Sequence, residues 1–147
     1  MGSEDRYKER VRRQRIMEQH FTYRDFGKGY PPHEFIRNYN AARVQYIQSA
    51  VNKHGEGMCA QRFFECLAIG PVLCNWCPDL ERTGLVDGED FLSYRTDTQM
   101  LFNMRLLLAD ENLRRTMAAS GRKKSLMYHT YDSRCIAIIN VVREYDK

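Results

Sequence analysis

The run "PVLCNW", residues 71–76, lies between Gly70 and Pro78 and carries no charge. A continuous apolar stretch of this length is typical of a parallel strand buried on both faces, and it needs a covering layer on each side. The flanking sequence supplies partners for it. "VQYIQSAV" (44–51) and "FLSY" (91–94) read as strands, and "TYRDF" (22–26) as a short one ended by Gly27 and Gly29 of "GKGYPP". Helical periodicity fills the intervals. Tyr7, Val11, Met17 and Phe21 form one stripe over 4–20, and Phe35, Tyr39 and Ala42 form another after Pro31 and Pro32. A third helix is predicted from Cys59 to Ile69, with Gly70 at its C′ position. "DLERTGLVDGED" is turn-rich, with room for one helical turn.

Three helices close the chain. Thr96 or Asp97 can cap one that ends near Ala109, and Asp110 can cap the next. In that second helix Leu113, Met117 and Leu126 make the apolar stripe, while Gly121 weakens the middle. Thr130 can cap the last helix, whose stripe is Cys135, Ile136, Ile139 and Val142. Strands alternating with helices predict an α/β fold, a single Rossmann-like domain with a parallel sheet flanked by helices. The chain opens on a helix, where a complete doubly wound domain would open on a strand.

Length and charge narrow the class. At 147 residues and 17.4 kDa the chain is expected to be one domain over 1–147, with a basic helix over 1–21 and the core over 22–147. No apolar run approaches the ~18 residues that span a bilayer, and the N-terminus lacks an apolar signal region, so a cytoplasmic protein is expected. The net charge is +4, and residues 1–24 hold seven Lys or Arg against four Asp or Glu. A basic first helix is one mark of nucleic-acid binding, but aromatic interleaving and a binding motif are missing, and a solvated helix face is the simpler reading. The five cysteines include the C-x-x-C pair Cys74 and Cys77. A zinc site needs a second such pair, and the Pro78-Asp79 that follows does not open a helix as redox motifs do, so a structural role is favoured.

"NKHGEGM" (52–58) joins a predicted strand to the helix after it. In open parallel sheets ligands bind outside the carboxyl ends of the strands, where such loops meet helix starts. Gly55 and Gly57 allow backbone to approach a ligand closely, and a helix start suits phosphate. Ala60, Phe63, Phe64, Leu67 and Ala68 form the buried stripe of that helix, which leaves Gln61, Arg62 and Glu65 on the opposite face. A guanidinium there could bind phosphate bidentately, and a carboxylate one turn on could accept hydrogen bonds from a ribose diol. An ordinary surface ion pair at i,i+3 explains the same two residues, and spacing alone leaves both readings open. Gly27 and Lys28 could line a base or phosphates, or simply end a strand. His54, Trp76 and His129 receive no role.

"RFFECLAIGPVLCNWCPDLERTGLVDGEDFLSY" (62–94) resembles the C-terminal, nucleotide-sugar-binding half of group 1 glycosyltransferases of the two-domain GT-B type, nearest to the spore-maturation CgeB-like branch. The matching positions are Arg62, Phe64, Glu65, Ala68 and Gly70, then Asp79, Leu80 and Glu81, then Asp87, Gly88, Glu89 and Asp90. "DENLRRTMAASGRKKSLMYHTYDSR" (110–134) and "DFGKGYPPHEFIRNYNAARV" (25–44) are similar to other segments of that family, and together the resemblance spans about 22–143.

The resemblance implies binding of a nucleotide diphosphate sugar and glycosyl transfer without a bound metal or other cofactor. It implies that Glu65 contacts the donor ribose, and that Gly57, Met58 and Arg62 lie near the diphosphate and the sugar. The leaving diphosphate gains charge during transfer, which an Arg and a helix start would stabilise. The family's paired glutamates have seven residues between them, so Gly57 stands where the first belongs and Glu56 precedes it by one. Neither the half-domain's first strand nor the acceptor-binding domain is recognisable. The expected partners are therefore a nucleotide sugar and either a homo-oligomer or a separate acceptor-domain chain. The alternative is a non-catalytic binding or assembly module of glycosyltransferase descent.

Overall fold

A computed structural model describes residues 3–24, 31–48 and 61–145. In chain order they form α1 (Ser3–His20), α2 (Pro32–Ala41), β1 (Gln45–Ile47), α3 (Gln61–Leu67), β2 (Val72–Asn75), a 3-10 turn (Pro78–Arg82), β3 (Leu92–Tyr94), α4 (Asp97–Ala109), α5 (Glu111–Tyr128) and α6 (Tyr131–Tyr145). The strands make one parallel sheet in the order β1-β2-β3, with Gln45 opposite Val72 and Leu73 opposite Leu92. The apolar run of β2 is its centre, and all four of its residues are buried.

Side-chain alternation along β2 sends Val72 and Cys74 to one face and Leu73 to the other, and each face has its own core. Ile47, Val72 and Cys74 pack with Phe63, Phe64 and Leu67 of α3 and with Phe91. Leu73 and Tyr94 pack with Met17 of α1, Met100, Met104 and Leu107 of α4, and Met117 of α5. Two ion pairs reinforce the docking of α1. Arg12 and Arg13 both reach Asp97 in the first turn of α4, at 2.5 and 3.2 Å, and Arg12 and its neighbours hold the Asp97 carboxyl below the usual range.

The helix ends follow local chemistry. Thr96 accepts from the Gln99 N–H at 3.2 Å and Thr130 from that of Ser133 at 3.2 Å. Asp110 serves two helices: its N–H donates to Leu106 at the end of α4, and its carboxylate accepts from Leu113 at the start of α5. Arg114 then donates to the Leu107 and Leu108 carbonyls at 2.6 and 2.8 Å, satisfying acceptors that the α4 terminus would leave open.

Gly121 is more than a weak point in α5. A Cβ there would lie 2.6 Å from the Asp90 carbonyl oxygen and 2.8 Å from Leu67 Cδ2, so the missing side chain lets α5 close onto the sheet and α3. One turn later Ser125 donates to the Phe64 carbonyl at 3.0 Å. Gly121 and Ser125 therefore define the inward face. Leu126, expected in the apolar stripe, lies one position off it and is exposed.

Other expectations need correction. Thr22, Tyr23 and Arg24 are not strand, and the rest of "TYRDF" lies outside the described residues. Tyr23 instead sets its ring edge-on to Tyr46, adding a side chain to the core where a ladder was expected. Gly70 closes α3 through its N–H to Cys66 at 2.9 Å, but without the positive φ of a left-handed cap. The stripe predicted for α6 is solvent-exposed throughout: Cys135, Ile136, Ile139 and Val142 all face water. Periodicity identified a helix there, and its packing partner is not among the described residues.

Candidate functional site

The parallel connection from β1 through α3 to β2 reverses the chain twice, so the start of α3 lies at the carboxyl end of the sheet, where an open α/β fold binds its ligands. Phe63, Phe64 and Leu67 are buried and fix the rotation of α3. Arg62 and Glu65 are thereby turned outward, each with nearly half its side chain accessible. Arg62 Nε lies 3.2 Å from Glu65 Oε2, and Gln61 Nε2 donates to Glu65 Oε1 at 2.9 Å.

The sequence reading missed Tyr39. It sits on α2 among the residues packed against the α3 core, and its hydroxyl accepts from Arg62 Nη1 at 2.9 Å. Burial raises the Tyr39 phenol, and the Arg62 hydrogen bond works against that rise. The ring also lies near the guanidinium, with 5.8 Å from Cζ to the centroid. The only sequence cue was a hydroxyl on the last turn of an apolar stripe. Gln45 donates to the Tyr39 carbonyl at 2.7 Å and so fixes the end of α2 to β1. Beneath the pair, burial pushes the Cys66 thiol up to about 12, so it remains protonated and inert.

The other predicted site residues, Gly27, Lys28, Gly55, Glu56, Gly57 and Met58, lie outside the described residues, as does His54. Arg62 and Glu65 are brought together.

Two more groups stand at the carboxyl edge of the sheet. Trp76 directly follows β2 and Arg95 directly follows β3, with the guanidinium 3.5 Å from the indole centroid. Trp76 also donates its backbone N–H to the Tyr94 carbonyl at 2.8 Å. The Asp87–Asp90 turn, by contrast, is built into the fold. The Asp90 carboxylate is fully buried and accepts from Val86 N–H, Lys124 Nζ and Ser120 Oγ at 2.7, 2.6 and 2.5 Å. Burial pushes its pKa upward, and Lys124 and Ser120 outweigh that, so it stays below the usual carboxylate range.

Cys74 and Cys77 are both buried free thiols, which places the C-x-x-C pair in the core. His129 caps the end of α5 and stacks on Phe64 at 4.3 Å. Burial holds its pKa below the usual value. No helix among the described residues is long and apolar enough to cross a membrane.

Comparison with known proteins agrees with this architecture. The chain is similar in structure to sucrose-phosphate synthase from Thermosynechococcus elongatus, a GT-B type protein, with a TM-score of 0.66 and 20% identity. The match covers 98% of this chain and 35% of that protein, so the chain spans about a third of its length, and the likeness at this identity concerns the fold. No curated protein matched by sequence. A model of the family described as glycosyl transferase-like matches residues 2–140. With nearly the whole chain matched, this protein belongs to the glycosyl transferase-like family.

Proposed function

We propose that the chain forms the donor side of a glycosyltransferase and binds a nucleotide diphosphate sugar at the start of α3. The observation that carries this reading is the outward-facing Arg62–Glu65 pair at the carboxyl end of β1, within a chain of glycosyl transferase-like family. Arg62 would donate to the diphosphate, its guanidinium anchored by the hydrogen bond to the Tyr39 hydroxyl. Glu65 would accept hydrogen bonds from the ribose hydroxyls. From the family resemblance we also assign Gly27, Lys28, Gly55, Gly57 and Met58 to donor binding, with Glu56 as a candidate acidic group.

In the reaction, the bond from the anomeric carbon to the diphosphate oxygen breaks as the acceptor hydroxyl oxygen bonds to that carbon, and the hydroxyl's proton passes to the departing diphosphate. Negative charge grows on the leaving diphosphate, where a positioned guanidinium is most effective. We take the transfer to be metal-independent and the setting cytoplasmic, in a protein of the CgeB-like branch. The acceptor side would come from another domain or chain.

A second reading is a non-catalytic binding or assembly module. Its support is that Arg62 is already engaged by Glu65 and Tyr39, so the pair is satisfied without a ligand.

Thermal unfolding with a panel of nucleotide diphosphate sugars and free nucleotides separates the two. A ligand at a hundred times its Kd adds ~2.7 kcal/mol, a rise of several degrees for a chain of this size. The donor reading predicts such a rise with one nucleotide class and its loss in Glu65→Ala. No rise with any nucleotide would leave the assembly reading in its place.

A further inference from the structure

We propose that Arg95, laid over the Trp76 ring, is a second anion subsite, and that it binds a phosphate or carboxylate carried by the acceptor of the sugar. Naming that ligand the acceptor rests on the donor reading above; the binding of an anion at Arg95 does not. The position follows from the path of the chain. After β2 the backbone turns to the face covered by α3, since Leu80 of the 3-10 turn packs in the same core as Phe63 and Phe64. After β3 it turns to the opposite face, where Met100 and Met104 of α4 join Leu73 and Tyr94. β2 and β3 are parallel neighbours, so the two connections part at the carboxyl edge of the sheet. A divergence of this kind is where an open α/β sheet takes its ligands. Trp76 and Arg95 are the residues that stand there, the first half-buried and the second exposed.

The chemistry follows from what holds the guanidinium. Its Cζ lies 3.5 Å from the indole centroid. Stacking uses the flat face of a guanidinium and leaves its in-plane N–H groups to bind something else. Both backbones are pinned, Trp76 N–H to the Tyr94 carbonyl at 2.8 Å and Arg95 N–H to Gln99 Oε1 at 2.9 Å. Among the described residues no carboxylate pairs with Arg95. The acids on either side of it in sequence are engaged elsewhere, Asp97 by Arg12 and Arg13 and Asp90 by Lys124. Arg62, by contrast, is held by Glu65 and Tyr39. A guanidinium fixed in orientation with its donors open suits an oxyanion, which it can grip bidentately without first being ordered. Arg95 follows β3, which lies two strand spacings, about 10 Å, from β1. It therefore shares the donor's edge of the sheet but stands apart from the donor phosphates, as an anion on the second substrate requires.

Trp76 is the single tryptophan of the chain, so its emission reports on this place alone. Glucose 6-phosphate, glucuronate and neutral glucose are titrated into the wild type, Arg95→Gln and Glu65→Ala, each checked for native helicity. Calorimetry runs alongside, because Arg95→Gln also alters the stack. A saturable response to glucose 6-phosphate or glucuronate is expected, with none to glucose. Arg95→Gln should weaken it about tenfold or more, and Glu65→Ala should leave it unchanged. No saturable response to either anion, or an equal one in Arg95→Gln, would overturn the proposal. So would a response lost in Glu65→Ala, which would put the anion at the donor site. UDP-glucuronate and UDP-glucose separate the two sources of the anion. If the donor's carboxylate tightens binding and Arg95→Gln abolishes that gain, the anion belongs to the donor sugar and the acceptor assignment falls. If neither nucleotide sugar binds while glucose 6-phosphate still requires Arg95, the donor reading fails and the anion subsite stands.

Discussion

Two acid–base pairs on opposite sides of α3 show how the same chemistry serves different ends. Asp90–Lys124 is sunk between the β3 turn and α5, its carboxylate fully buried and every oxygen occupied. Arg62–Glu65 stands in water at the carboxyl edge of the sheet, half-exposed and held by neighbours that a ligand could replace. A buried charge with satisfied partners is fixed, because removing one partner strands the rest in a medium of low polarity. An exposed pair contributes a few tenths of a kcal/mol to the helix and can exchange its partners at little cost. The difference assigns the first pair to the fold; the second is the one we propose for binding.

The sharpest way to break this contrast is Asp90→Ala. It strands the Lys124 ammonium and the Val86 N–H, and should cost about 3–5 kcal/mol, roughly 10 °C in Tm by calorimetry. Acid should expose the same dependence more gradually. Glu9, Asp90 and Asp97 all have folded-state pKa values below their ordinary ones. The folded chain therefore binds fewer protons than the unfolded chain in acid. Their stabilisation is complete above pH ~5, clear of the unfolded values, and is lost as pH falls through the lower folded ones. Denaturant midpoints measured from pH 6 down to pH 2 should fall along that limb, and the fall should be shallower in Asp90→Asn.

Gly121→Ala comes next in size. Alanine gains up to ~1 kcal/mol of helix propensity, but its Cβ meets the Asp90 carbonyl at 2.6 Å. Overpacking costs ~1–3 kcal/mol, so a net loss in urea midpoint is expected, and a gain would mean that α5 does not close on the sheet. Glu65→Ala should be the mildest, shifting Tm by a degree or less while removing nucleotide binding. A large loss of stability there would erase the distinction between the two pairs.

Much of the fold was legible because its determinants are local. β2 announced itself as an uncharged run between Gly70 and Pro78, and Thr96, Asp110 and Thr130 marked helix starts by side chains that bond the next turn. What failed depended on distant partners. Gly121 reads as a helix breaker until Asp90 and Leu67 are seen against it. Tyr39 reads as core until Arg62 arrives from 23 residues away. The Thr22–Arg24 segment has strand-forming residues, but Tyr23 is taken by Tyr46 instead. In α6 the period was right and the expected burial was not, because a helix repeat shows which residues share a face and not what covers it.

The candidate site was half legible for the same reason. The i,i+3 spacing placed Arg62 and Glu65 together, and the buried Phe63 and Phe64 turned them outward. The role we propose for them rests on a ligand, which spacing does not encode.

Calorimetric titration of nucleoside diphosphates and their sugar conjugates into the wild type, Arg62→Ala and Glu65→Ala tests the central claim most directly. The account predicts saturable, one-to-one binding of one nucleotide class to the wild type. Both variants should remain folded and lose that heat, Arg62→Ala losing the diphosphate contribution and Glu65→Ala the ribose contribution. Binding of equal strength in all three proteins would contradict the claim that this pair forms the donor site.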